Sequence, residues 1–248
     1  MSDPRSVVET FLEALSRNDA DAMKPVLGAY VQHNPNAPTG PEFILEMQPV
    51  LKEAGFGLEL HRMFHDGPFV VTHITFSNAA ALGADTVVVF DIWKVVDGRI
   101  DEHWDCIAPL SMNPVGGRTQ TDGSFKVTDL HATESNKAVV NDFVSSVLVG
   151  GQWALVSTFL RDGLFCQHNP LFDDGLESLV ETRRKVTYRK VHRLLGEGNF
   201  VLAQCEGEIE AKPFAIYDLF RLDDGKIVEH WDVWQEIPAE SANDNGMF

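Results

Sequence analysis

Val7, Val8, Phe11, Leu12 and Leu15 recur at the spacing of one helix face, which predicts a helix over residues 7–16. Ser2, Asp3 and Ser6 are its candidate caps. Asn18-Asp19 breaks the pattern. Met23, Val26 and Leu27 then predict a second short helix from Ala20 to about Leu27. Residues 30–35 read as a short extended run stopped by Asn34-Pro35. A third helix is expected from Pro41, since proline suits a first turn, to Ala54, with Gly55 ending it. From there the period shortens. Residues 56–65, Phe69–Ser77, 85–96 and Arg99–Pro109 read as strands, the last two as a hairpin around Asp97-Gly98. Three helices followed by a four-strand antiparallel meander make an α+β unit, with helices on one face of a curved sheet.

The same order then returns. Residues 90–105, FDIWKVVDGRIDEHWD, reappear as residues 217–232, YDLFRLDDGKIVEHWD, with eight of sixteen positions identical. Gln32-His33-Asn34-Pro35 is matched by Gln167-His168-Asn169-Pro170, and His61-Arg62 by His192-Arg193. Helices are expected over 136–149 and 153–160. The chain therefore reads as a first copy over 1–110, a linker over 111–135 rich in Gly, Asn, Thr and Asp, and a second copy over 136–248 that includes an acidic tail. Each copy is long enough for one core.

Composition narrows the partners. Of 248 residues, 44% are hydrophobic, as in a globular chain, and the formal net charge is −17. Such a charge repels nucleic acid and anionic membranes, so neither is expected as a partner. The first twenty residues carry acids throughout and lack the apolar run of a signal peptide. No segment approaches the roughly 18 apolar residues of a membrane span. Cys106, Cys166 and Cys205 are scattered and odd in number, which fits a reducing, cytoplasmic setting and buried apolar roles.

The His-Asn-Pro after the second helix, the Asp-Gly hairpin and the closing Glu-His-Trp-Asp together resemble the SnoaL-like polyketide cyclases of the nuclear transport factor two-like superfamily, in two tandem copies. The resemblance implies tandem cone-shaped α+β barrels, each with three helices on a strongly bent antiparallel sheet. It implies an intrachain pseudo-dimer through the outer sheet faces, with a homodimer also open. It implies activities such as aldol-type ring closure, isomerisation, epoxide hydrolysis or dehydration, without cofactor or metal. Some members only bind or scaffold. An Asp on the closing strand is the acid/base of the cyclases, a role that maps to Asp105 and Asp232.

The residues themselves allow a related reading. Asp97-Gly98 can make a two-residue turn, or a three-residue loop with a bulge. The three-residue form is favoured, because it sets Asp91 opposite His103 and Val89 opposite Asp105, and puts Asp91, His103 and Asp105 on one face. Asp218, His230 and Asp232 repeat the set. The two-residue form instead groups Asp91 with Glu102 and Trp104. A carboxylate withdrawn from water gains basicity, and a nearby His can orient it or bind an enolate oxygen. His33 and His168, at a strand edge near the cone mouth, are candidate substrate contacts. Trp104 and Trp231 read as packing.

His33, His103, Asp91 and Asp105 include the donor types a metal would need, but no short-range ligand spacing such as His-Glu-x-x-His is present. Phosphate-binding loops, serine nucleophile elbows and dinucleotide fingerprints are absent as well. The expectation is thus a cofactor-independent lyase or isomerase moving a proton beside the carbonyl of a small hydrophobic ligand. A non-catalytic small-molecule binder or a structural dimerisation module is the alternative.

Overall fold

The computed structural model describes residues 3–161 and 164–248. It divides into two compact units, one of residues Met1–Leu110 with Pro238–Phe248, the other Ser111–Ile237. Segment 111–135 thus belongs to the second unit, and the tail to the first.

In the first unit, helix α1 (Pro4–Ser16) buries Val7, Val8, Phe11, Leu12 and Leu15 as its periodicity requires. Asp3 caps it by accepting from the Arg5 backbone N–H at 3.2 Å; Ser2 lies outside the described residues. The second helix is shorter than its pattern predicts. Helix α2 (Ala20–Met23) passes through a single tighter turn over Lys24–Val26, and Leu27 opens strand β1 (Leu27–Gln32) instead of closing a helix. Helix α3 (Pro41–Ala54) starts on Pro41 and stops at Gly55, whose φ of 69° lets the chain leave in the left-handed conformation.

Four long strands follow: β2 (Gly57–Asp66), β3 (Phe69–Ser77), β4 (Thr86–Val96) and β5 (Arg99–Pro109). The sheet has five strands rather than four, ordered β1-β5-β4-β3-β2, because β1 pairs in parallel along β5. Helix α1 lies across β2, β3 and β4 and contributes Phe11 to a core with Val70, Ile74, Val87, Val89 and Trp93. Each such buried large side chain is worth roughly 1.5–3 kcal/mol.

The second unit repeats this plan. Helix α4 (Thr133–Asp142) runs on into a wider π-turn segment, Phe143–Val149. Helix α5 (Val156–Phe159), strand β6 (Cys166–Gln167) and helix α6 (Leu176–Lys185) precede β7 (Val186–Glu197), β8 (Phe200–Ile209), β9 (Lys212–Asp223) and β10 (Lys226–Glu236). Their order is β6-β10-β9-β8-β7, with β6 parallel to β10. Both units are therefore α+β folds on a bulged, mainly antiparallel sheet. His61 and His192 fall at the bulges of β2 and β7. Bulges of this kind kink a strand and sharpen its twist. Among the described residues, no helix is long and apolar enough to cross a membrane.

Candidate functional site

The hairpin that carries the candidate residues closes by a two-residue turn. Asp97 and Gly98 have φ of 49° and 76°, and Val96 pairs with Arg99. The three-residue loop expected from the sequence is not formed, because two consecutive left-handed residues match the twist of the flanking strands. A bulge between Lys94 and Val95 of β4, opposite Ile100 and Glu102 of β5, leaves Asp101 without a partner and shifts the alternation by one. Asp91 consequently faces Asp105, not His103, and His103 faces Trp93. Asp91, His103 and Asp105 still share one face. The second hairpin does the same with Asp224 and Gly225, a bulge at Val228, and Asp218 opposite Asp232.

The resulting cluster is buried. In the first unit, His103 Nε2 donates to Asp91 Oδ1 at 3.0 Å, and Nδ1 lies 3.2 Å from Gln32 Oε1. That Gln32 oxygen also accepts from the Asn34 backbone N–H at 2.8 Å. Both ring nitrogens therefore face side-chain oxygens. The ring is held between Trp93, 4.0 Å away, and Tyr30, 5.7 Å away. Asp91 Oδ2 accepts from Thr72 Oγ1 at 2.9 Å. Asp105 Oδ2 accepts from Asn34 Nδ2 at 2.8 Å, while its Oδ1 has no hydrogen-bond partner among the described residues.

The second unit keeps the plan with different neighbours. His230 Nε2 donates to Asp218 Oδ1 and its Nδ1 faces Gln167 Oε1, each at 3.0 Å. Phe220 and Phe165 flank the ring. Tyr188 Oη supplies the other donor to Asp218 Oδ1, at 3.0 Å. Asn169 Nδ2 lies 2.9 Å from both oxygens of Asp232.

Burial drives the electrostatics. Loss of water pushes Asp105 up to about 6; the nearby His103 pulls it down, Asp91 pushes it up and the Asn34 amide pulls it down. Asp232 is likewise raised to about 6 by burial, against His230, with Asp218 adding to the rise. For His230, burial disfavours the charged ring, but the hydrogen bond it donates to Asp218 and the charges of Asp232 and Asp218 outweigh it and raise the pKa.

His33 and His168 do not join these clusters. They alternate with Gln32 and Asn34, or Gln167 and Asn169, and so point the other way. His33 stacks on Trp104 at 4.5 Å, with Nε2 3.0 Å from Glu102 Oε1 and Nδ1 2.7 Å from the Gly246 carbonyl. His168 stacks on Trp231 at 4.6 Å, with Nε2 3.0 Å from Glu229 and Nδ1 2.8 Å from the Thr119 carbonyl. These histidines anchor the tail and segment 111–135 within their own units. Gln32, Asn34, Gln167 and Asn169 are the site residues the sequence reading passed over. The signal was the period of two across Gln-His-Asn, which separates Gln and Asn from His.

Asp91, His103 and Asp105, and likewise Asp218, His230 and Asp232, offer ligand atoms within 4.8 Å of one another. Both nitrogens of each imidazole already face side-chain oxygens, so metal binding would have to break one of those bonds.

Residues 8–103 match the family described as SnoaL-like domain. Among solved structures, the chain is similar to a candidate ketosteroid isomerase from Kribbella flavida DSM 17836, at 16% identity over 42% of this chain and 81% of that one, with a TM-score of 0.37. An LEH-like epoxide hydrolase from M. tuberculosis is 24% identical over 42% of this chain and 84% of its own, with a TM-score of 0.35. A candidate polyketide cyclase from Sinorhizobium meliloti is 23% identical over 40% and 91%, with a TM-score of 0.35. No curated protein matches the sequence.

Proposed function

We propose that the chain is a tandem of two SnoaL-like units acting as a cofactor-independent lyase or isomerase. It moves a proton at the carbon beside the carbonyl of a small hydrophobic substrate, as an aldol cyclase does. The observation that carries this reading is the buried Asp105, raised to about 6, with one carboxylate oxygen bare. A carboxylate near 6 is largely ionised at neutral pH yet more basic than an exposed one, the compromise a general base needs. Asp91 and His103 are hydrogen-bonded to each other beside it at 3.0 Å. That bond leaves Asp105 Oδ1 as the bare carboxylate oxygen of the cluster, and the ring beside it stabilises the Asp105 carboxylate or a developing enolate. Asp232 is the matching group of the second unit. Half-buried Ile107, two residues beyond Asp105 on the same face, offers apolar surface to such a substrate.

A second reading, a module that binds a small ligand or dimerises without chemistry, has one observation in its favour. The His230–Asp218 pair, locked by Tyr188, is also what a purely structural buried network would contain. Deuterium uptake from solvent into the carbon beside the carbonyl of beta-tetralone, followed by NMR, separates the two. The whole chain is expected to accelerate uptake, and the double variant Asp105→Asn/Asp232→Asn to return it to the buffer rate. Equal rates for wild type and double variant would end the acid/base reading.

A further inference from the structure

The two units repeat the same cluster but leave different oxygens bare. In the first, Asp91 has both oxygens engaged, Oδ1 by His103 and Oδ2 by Thr72, and the bare oxygen is Oδ1 of Asp105. In the second the pattern is reversed. Both oxygens of Asp232 lie 2.9 Å from the Asn169 amide, and the bare oxygen is Oδ2 of Asp218. Asp218 is fully buried, and its other oxygen is held by both His230 and Tyr188.

The causes are particular substitutions between the copies. Thr72 of β3, which serves Asp91 and itself accepts from Trp93 Nε1 at 2.9 Å, is matched by Ala203, and Trp93 by Phe220. With no hydroxyl at 203, the donor to Asp218 comes from Tyr188 on β7, and it falls on the oxygen His230 already uses. Two residues beyond the closing Asp, half-buried Ile107 of the first unit is matched by Trp234. The Trp234 indole stands close enough to favour the charged form of Asp232, without closing a full hydrogen bond, and packs against Phe172 at 6.1 Å.

We infer that turnover is confined to the first unit, where one oxygen of Asp105 accepts no hydrogen bond, and that Asn169 and Trp234 hold Asp232 out of the reaction. This rests on the proton-transfer reading above. Basicity does not separate the two carboxylates, since burial raises both to about 6. What separates them is the set of partners on the reacting atoms. An oxygen that already accepts a hydrogen bond gives up part of its electron density to that donor and is a weaker acceptor for a proton from carbon, and an indole in place of an isoleucine narrows the approach.

The test uses the intact chain and deuterium uptake into beta-tetralone. General acid–base groups contribute about a hundredfold or more, so Asp105→Asn alone should leave below about 5% of wild-type uptake. Two equivalent sites would leave about half, and that result overturns the inference while keeping the acid/base role of both residues. Uptake unchanged in Asp105→Asn overturns it as well, and the double variant then shows whether Asp232 or no aspartate is the base. Trp234→Ile copies the first unit into the second and does not touch Asp105. In the Asp105→Asn background it should restore uptake at least ~fivefold, a small part of the general-base contribution. In the otherwise wild-type chain it should raise total uptake. No gain in either background overturns the role assigned to Trp234.

Discussion

Asp91 and Asp105 stand directly opposite each other on neighbouring antiparallel strands, both buried, with His103 bound to the first and only Asn34 to the second. Two carboxylates so placed cannot both ionise freely away from water. His103 bonds Asp91, and Asp105, raised chiefly by burial, is pushed up to about 6.

That division predicts a pH profile. If Asp105 is the base, kcat/KM rises with pH through a midpoint near 6. His103 lowers that midpoint by its charge, so His103→Gln should move it up by about one pH unit. The profile of deuterium uptake between pH 5 and 8 reads this directly, and an unmoved midpoint would mean that His103 does not tune Asp105.

Stability should follow the same carboxylates with the opposite sense. Asp105 and Asp232 sit near 6 in the fold against an ordinary 3.8, so the folded chain holds these protons to higher pH than the unfolded chain does. The stability that comes from the protonated form is fully present below about pH 4 and is lost as pH rises through 6. A rise from 3.8 to about 6 corresponds to about 3 kcal/mol per carboxyl at most. Urea midpoints of wild type and of Asp105→Asn/Asp232→Asn, taken at pH 4 and pH 7, should show a smaller fall for the variant.

Asn34 is the side-chain donor to Asp105. Asn34→Ala strips the hydrogen bond from Asp105 Oδ2 and leaves a buried carboxylate with fewer partners. The cost should be about 1–2 kcal/mol, or about tenfold in kcat/KM, with the pH midpoint moving up because the amide favours the charged form. Asn34→Leu restores size but not the donor. Its failure to rescue, compared with the alanine variant in the same profile, assigns the effect to the N–H.

Much of this was written in the chain. The repeat of residues 90–105 at 217–232 predicted two units of one plan, and both sheets have the same strand order. The Asp-His-Asp face was also legible, though by a wrong route. A two-residue turn alone would have put Asp91 with Glu102 and Trp104. The single unpaired residue, Asp101 or Val228, returns the alternation to register, and nothing in a period-two pattern marks one extra residue. The parallel strand β1 was hidden for a similar reason. Its pairing is set by Tyr30 at a φ of 48° and a break in register after Leu27, not by local propensity. Segment 111–135 looked like a linker because Gly, Asn and Thr dominate it. Its Thr119 and Asp122 contacts to His168 join residues far apart in sequence.

Those contacts predict a sharp difference between two glycines of that segment. Gly123 has a φ of 87°, and a Cβ there would run into Glu229 Oε1 and come within 2.9 Å of Trp231 Cζ2 and 3.0 Å of His168 Nε2. Glu229 cannot swing aside cheaply, because it also accepts from Arg221 Nε at 2.6 Å. Gly117 has a φ of 73°, but a Cβ there meets open space. Gly117→Ala should therefore cost only the backbone penalty of about 1 kcal/mol. Gly123→Ala should add the clash and reach about 3 kcal/mol, within the range for strained backbone plus overpacking. Thermal melts give the difference. Amide exchange of residues 119–124, slowed in wild type and in Gly117→Ala, should speed up in Gly123→Ala as Trp231 Nε1 loses its bond to the Asp122 carbonyl.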